Sequence, residues 1–169
     1  MNKELNTIID LIYTPMDFKI SQLSKEAESE EYSAYSFHLN QLSIRFRVAK
    51  TTPTKVGQFV TLWKRVGNGP IQPYDISDQV DIFVICTRKD GNHFGQFIFP
   101  KSILLKHNIM SNDNKGGKRA IRVYPPWEKS LNKQAQKTQD WQSKYFLDTS
   151  SSQCIDYNLA HQLYSLDPI

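Results

Sequence analysis

The sequence predicts an α+β fold in which a central, mostly antiparallel sheet is flanked by helices. Three observations carry this. Strand-like segments cluster between residues 42 and 124, helix-periodic segments lie at both ends, and an Asp-Gly turn joins the two most apolar strands. No internal repeat or long linker divides the 169 residues. A single domain over 1–169 is therefore expected, with its core over about 30–127.

The elements follow in order. Residues 1–12 predict a short helix, because Leu5, Ile8, Ile9 and Ile12 recur at helical spacing and Pro15 ends the run. Residues 22–34 are acidic and compatible with a second helix. Leu42, Ile44, Phe46 and Val48 alternate with Arg45 and Arg47, which predicts a strand with a cationic face. Thr51-Thr-Pro-Thr is a loop, and residues 57–65 read as the next strand. Gly67-Asn-Gly-Pro is a turn, and a loop rich in Pro, Asp and Ser runs to Asp78.

Residues 80–86 are almost continuously apolar, as a strand buried on both faces would be. The Asp90-Gly91 turn returns the chain into a partner strand over 94–99. Residues 102–107 read as a short helix with Ser102 as its N-cap. Residues 112–117 form a flexible loop, and 120–124 a last strand closed by Pro125 and Pro126. Helices are expected over 130–146, with a solvent face rich in Gln and Lys, and over 155–164.

Composition excludes several classes. No run approaches the roughly 20 apolar residues of a membrane span, and the N-terminus lacks a signal peptide's basic-then-apolar design. Cys86 and Cys154 form no CxxC pair. His38, His93, His107 and His161 share no metal-like spacing, and no phosphate-loop or dinucleotide fingerprint occurs. A cytoplasmic, non-membrane protein is the expectation.

The net charge of +4 conceals an asymmetry. Residues 1–42 hold three bases against seven acids. Residues 43–129 hold fifteen against six, and residues 130–169 hold three against four. The run 43–65 contains Arg45, Arg47, Lys50, Lys55, Lys64 and Arg65 and no acid. Such a stripe is the footprint of a phosphate-backbone binder. It equally suits cations that pair with the acidic stretch 26–31. Around it, Thr51, Thr52 and Thr54 supply hydroxyl donors suited to phosphate oxygens. Trp63, Tyr124 and Trp127, near element ends, serve either as stacking surfaces or as core. Gly116-Gly117, between Lys115, Lys118 and Arg119, reads as a phosphate cradle or a plain flexible loop.

The segment Phe46-Arg-Val-Ala-Lys-Thr-Thr-Pro-Thr-Lys-Val-Gly-Gln-Phe-Val-Thr-Leu-Trp-Lys-Arg65 resembles the signature of the MepB family of bacterial proteins. Gly95-Gln-Phe-Ile-Phe-Pro-Lys101 and Arg119-Ala-Ile-Arg-Val-Tyr-Pro-Pro-Trp127 resemble it too. The resemblance implies a PD-(D/E)xK restriction-endonuclease-like core. That core would comprise an antiparallel meander of strands 57–65, 81–86 and 94–99, then helix 102–107 and strand 120–124. It further implies a degenerate active site. Asp81 takes the place of the motif Asp, but neutral Gln96 stands at the second acid and Ile98 at the lysine. Lys89 or Lys101 could replace that lysine only from a neighbouring position.

The expectation is thus a non-enzymatic nucleic-acid binder of weak sequence specificity. It would engage single-stranded DNA and RNA, and duplex DNA more weakly. Arg45, Arg47, Lys50, Thr51, Thr52, Lys55, Lys64, Arg65, Lys101, Arg119 and Arg122 would make the contacts, with Trp63 and Tyr124 stacking. No metal or cofactor is expected. Mg²⁺ enters only under the alternative of a nuclease with a rearranged site, and a protein-interaction module is the other alternative.

Overall fold

The computed structural model describes residues 1–166; the last three residues of the expected single domain lie outside the described residues. The chain opens with α1 (Lys3–Ile8), which runs into one wide turn of π-helix over Ile9–Tyr13. Asn2 caps α1, its Oδ1 accepting the Leu5 N–H at 2.9 Å. A six-stranded sheet follows. In spatial order it is β1 (Ile20–Lys25), β2 (Tyr35–Leu39), β3 (Leu42–Val48), β8 (Ile82–Lys89), β9 (His93–Pro100) and β11 (Phe146–Asp148). Every neighbouring pair is antiparallel except β3 and β8, which run parallel.

The intervening residues build two smaller sheets. The order β10 (Ala120–Val123), β5 (Gln58–Thr61), β4 (Lys50–Thr51) makes one. The hairpin β6 (Trp63–Arg65) and β7 (Ile71–Pro73) makes the other. Helices α2 (Lys101–Lys106), α3 (Lys133–Gln142) and α4 (Tyr157–Tyr164) complete the fold.

The strands at the centre are buried on both faces, as the apolar run 80–86 predicts. Ile82, Val84, Cys86 and Ile98 face α1 and α4, packing on Leu5, Ile8, Ile12, Leu163 and Tyr164. Phe83, Ile85, Phe97 and Phe99 face the other way. They pack on α2 through Ile103 and Leu104, and on the small sheet through Val60, Ile121 and Val123. The Asp90-Gly91 turn forms as expected, both residues taking positive φ (52° and 77°).

Several expectations are corrected. Residues 22–34 are not helical. They form the edge strand β1, a turn, and one turn of 3-10 helix at Glu30–Tyr32. β1 exposes nearly all its residues, so it lacks the apolar alternation that marks a strand. Residues 57–65 are two strands in different sheets, broken at Leu62, whose N–H donates to the Arg119 carbonyl. Strand 120–124 pairs with β5, not with the main sheet, so the meander of 57–65, 81–86 and 94–99 does not form. β8 meets β3 instead.

Helix α2 starts at Lys101 behind Pro100, with no side-chain cap from Ser102. The stretch 130–146 is interrupted. Asn132 caps α3 through the Ala135 N–H (2.8 Å), the helix ends at Gln142, and Phe146 enters β11. The expected solvent face also fails in part, because Gln139 and Gln142 are buried. Among the described residues no helix is long and apolar enough to cross a membrane.

Candidate functional site

The acid-free run 43–65 meets its acids in space. The β1–β2 and β2–β3 registers place Lys25 opposite Tyr35 and Tyr35 opposite Phe46. Glu26, one step beyond Lys25, thereby reaches two arginines of β3. Its Oε1 lies 3.2 Å from Arg45 Nε and its Oε2 2.7 Å from Arg47 Nη1. Glu31 lies 3.8 Å from Lys50 Nζ, which also sits 5.0 Å from the Tyr32 ring centre. Glu28 lies 3.5 Å from Arg65 Nε, and Asp78 lies 2.6 Å from Lys64 Nζ.

Arg47 is the sharpest departure from the sequence expectation. Its side chain is fully buried, and Nη1 also donates to the Phe46 carbonyl at 2.9 Å. No phosphate reaches it without unfolding the sheet. The cationic face of β3 is covered at Arg47 and only half-open at Arg45, so alternation does not yield a fully solvent-facing cationic side. Arg45, Lys50, Lys64 and Arg65 are reachable but already matched with carboxylates. Trp63 lies on the same small hairpin, with the Arg65 guanidinium 5.7 Å from its ring.

The degenerate nuclease positions do not converge. Gln96 opposes Cys86, five residues beyond Asp81. At about 3.3 Å per residue that is roughly 16 Å along the strand, too far to share an ion. The Asp81 carboxylate accepts the Ser43 N–H at 2.8 Å, and the neighbouring Lys101 N–H donates to its carbonyl. Gln96 is buried, its Oε1 accepting from the Tyr164 hydroxyl at 2.8 Å, and Ile98 is core. Among the described residues no three His, Cys, Asp or Glu side chains group as a metal site.

A different set of cations meets no carboxylate. A cleft of about 560 Å³ opens between the β10–β5 sheet, the end of α2 and α3. Lys55, Lys118 and Arg122 line it, and no carboxylate does. Neither lysine's ammonium group has a hydrogen-bond or ion-pair partner among the described residues, and Lys118 is tied to the fold only by its backbone N–H, which donates to the Ile109 carbonyl. Arg122 holds the neighbouring loop. It donates to the Val56 and Gly57 carbonyls at 3.3 and 3.4 Å and to Thr52 Oγ1 at 2.5 Å.

Aromatic rings share the cleft: Phe59, Tyr124, His107 and Trp141. His107 lies flat on Trp141, ring centres 4.1 Å apart and planes within 9°. Burial first, and Lys106 second, hold the His107 pKa below its ordinary value.

The back wall is fixed by two buried amides. Gln142 accepts the Tyr124 N–H at 2.8 Å and donates to the Arg122 carbonyl at 3.0 Å, standing where another strand would pair with β10. Gln139 donates to the Pro125 and Glu128 carbonyls. Gly57 sits under Tyr124 with φ +81°. A Cβ there would stand 2.7 Å from Tyr124 Cδ1 and 2.8 Å from the Val123 carbonyl oxygen.

Of the residues singled out in the sequence, the cleft collects Lys55, Arg122 and Tyr124. Arg119 is exposed beside it, Thr51 ends β4, and Thr52 begins the adjoining loop. Lys101 stands apart, at the start of α2 beside Asp81. Lys118, His107 and Trp141 join the cleft without being among the contacts expected from the sequence. Of these, Lys118 has a sequence signal in its place beside Gly116-Gly117.

The MepB-like family model matches residues 26–148. That span includes every cation and aromatic of the cleft. The crystal structure of MepB is similar to this chain at 35% sequence identity and a TM-score of 0.76, over 89% of this chain and 99% of that one. No curated protein matches.

Proposed function

The chain belongs to the MepB-like family, and from that premise we propose that it binds nucleic acid through phosphates, with a preference for single strands or RNA and no hydrolytic step. The observation that carries the reading is the acid-free cleft with Lys55, Lys118 and Arg122 among four aromatic rings. Unpaired cations attract a polyanion and release its counterions. Rings beside them accept unstacked bases regardless of sequence. A cleft of about 560 Å³ is in the range of sites that enclose a small ligand. It suits a splayed nucleotide better than a stacked duplex, so duplex DNA is the weaker ligand in this proposal.

The proposal carries two finer elements. It confines any kinship with PD-(D/E)xK nuclease cores to β8, β9 and α2, the strand-strand-helix unit that the two would share. It also places the protein in the cytoplasm, where a thiol such as exposed Cys154 stays reduced.

The test is binding of fluorescent single-stranded DNA, RNA and duplex DNA, with and without Mg²⁺, across a salt series. Three to four neutralised phosphates predict a log-affinity slope against log salt of about −2 to −3 for single strands. A slope near zero, or stronger binding to duplex, contradicts the proposal. Cleavage dependent on Mg²⁺ contradicts its non-hydrolytic part.

A further inference from the structure

A second, smaller hollow of about 340 Å³ lies beside the first and shares Lys55 with it. Its walls are the 51–57 loop on one side and Lys89 with Glu128 on the other. Lys55 thus stands on a saddle between two concavities. Arg122 pins that saddle from the cleft side through Thr52, Val56 and Gly57.

The saddle's hydroxyls are set to donate. Thr51 Oγ1 accepts from Gln58 Nε2 at 3.3 Å, and Thr52 Oγ1 accepts from Arg122. Neither donates to a partner among the described residues, so each keeps its O–H proton for an incoming acceptor. Thr54 also lines the hollow. The one carboxylate there, Glu128, is held by Lys89 Nζ at 3.3 Å and is mostly buried. Lys89 itself is about half exposed.

From this arrangement we infer that the ligand is an oligonucleotide strand running from the aromatic cleft over Lys55 into the Lys89 hollow, and not a single nucleotide confined to the cleft. The inference rests on the proposed nucleic-acid binding and adds a path and a minimum length to it. Bases would lie in the aromatic cleft. The backbone would cross the saddle on Lys55 and the threonine hydroxyls and end in the second hollow, against the 51–57 loop. The footprint is about four nucleotides, at the low end of single-strand grooves.

The experiment is anisotropy with labelled thymidine dinucleotide, tetramer and octamer, on the full chain and on Lys89→Gln and Thr54→Val. The expected result is an octamer bound about tenfold more tightly than the dinucleotide. Octamer affinity should fall about threefold in Thr54→Val, with dinucleotide affinity unchanged in both variants, whereas Lys89→Gln, whose cation Glu128 already holds, should leave the octamer's salt slope as in the wild type. A dinucleotide bound as tightly as the octamer overturns the path and leaves the cleft reading standing. So does an octamer preference that neither variant alters. Absence of binding at any length overturns the cleft reading and the path together.

Discussion

The run 43–65 and the cleft around Lys118 are both basic, but they differ in whether a carboxylate has already claimed the cation. In the first, Glu26, Glu28, Glu31 and Asp78 hold Arg45, Arg47, Lys50, Lys64 and Arg65. In the second, Lys55, Lys118 and Arg122 line a hollow without one acid. A phosphate arriving at the first region must displace a carboxylate and regains little. At the second it replaces only water and counterions. Segment charge therefore does not tell which cations are already matched by carboxylates. The acid-free run is mostly a staple that fastens the 26–31 turn to the sheet, and of its cations only Lys55 lines the carboxylate-free cleft.

The largest effect that separates the regions concerns Glu26. Glu26→Ala strips the fully buried Arg47 and its neighbour Arg45 of their shared partner. An uncompensated buried charge costs about 3–5 kcal/mol, which denaturant unfolding reads. A loss below about 1 kcal/mol would make the staple dispensable and dissolve the contrast.

Next is the cleft's own support. Gly57→Ala forces a side chain into positive φ and against Tyr124 and Val123. A cost above about 1 kcal/mol is expected, together with weaker oligonucleotide binding as Tyr124 shifts. Unchanged affinity in a folded variant would remove Tyr124 from the binding surface.

Arg65→Ala tests the paired side at its exposed end. Its ion pair with Glu28 is a surface one, so stability should move by no more than about 1 kcal/mol. The salt slope for oligonucleotide should not move at all. A slope reduced by about 0.7 would place the paired run in the interface.

The smallest effect belongs to His107. Its pKa is lowered in the folded chain, by burial first and Lys106 second. The unfolded chain therefore takes up the proton more readily, so stability is intact above the ordinary histidine pKa of about 6.5 and declines as pH falls below it. His107→Gln should flatten that decline in thermal melts between neutral and mildly acid pH. An unchanged pH profile would mean that the ring on Trp141 is not held neutral.

The sequence made some of this readable. β3, β8 and β9 are visible because their apolar periods are strong and Asp90-Gly91 sets the turn. β1 is not, because an exposed edge strand needs no apolar alternation, and Phe146–Asp148 is too short to show one. The pairing of 43–65 with 26–31 stands as an open alternative in the sequence. Choosing it requires the β1–β2–β3 register that puts Glu26 level with Arg47. For the cleft, Lys55, Arg122 and Tyr124 are identifiable from their chemistry. Trp141 and His107 join them only through the seating of α3, which depends on two buried glutamines that ordinary patterning assigns to solvent.

The decisive measurement compares salt slopes for one single-stranded oligonucleotide. It uses the wild-type chain, the Lys55→Ala/Lys118→Ala double variant, and Arg45→Ala/Arg65→Ala as its counterpart. Each lost phosphate contact flattens a single-strand slope by about 0.7. The free-cation pair should therefore flatten it by about 1.4, with the fold intact, while the carboxylate-bound pair leaves it as in the wild type. A flattened slope in Arg45→Ala/Arg65→Ala and an unchanged one in Lys55→Ala/Lys118→Ala would contradict the account.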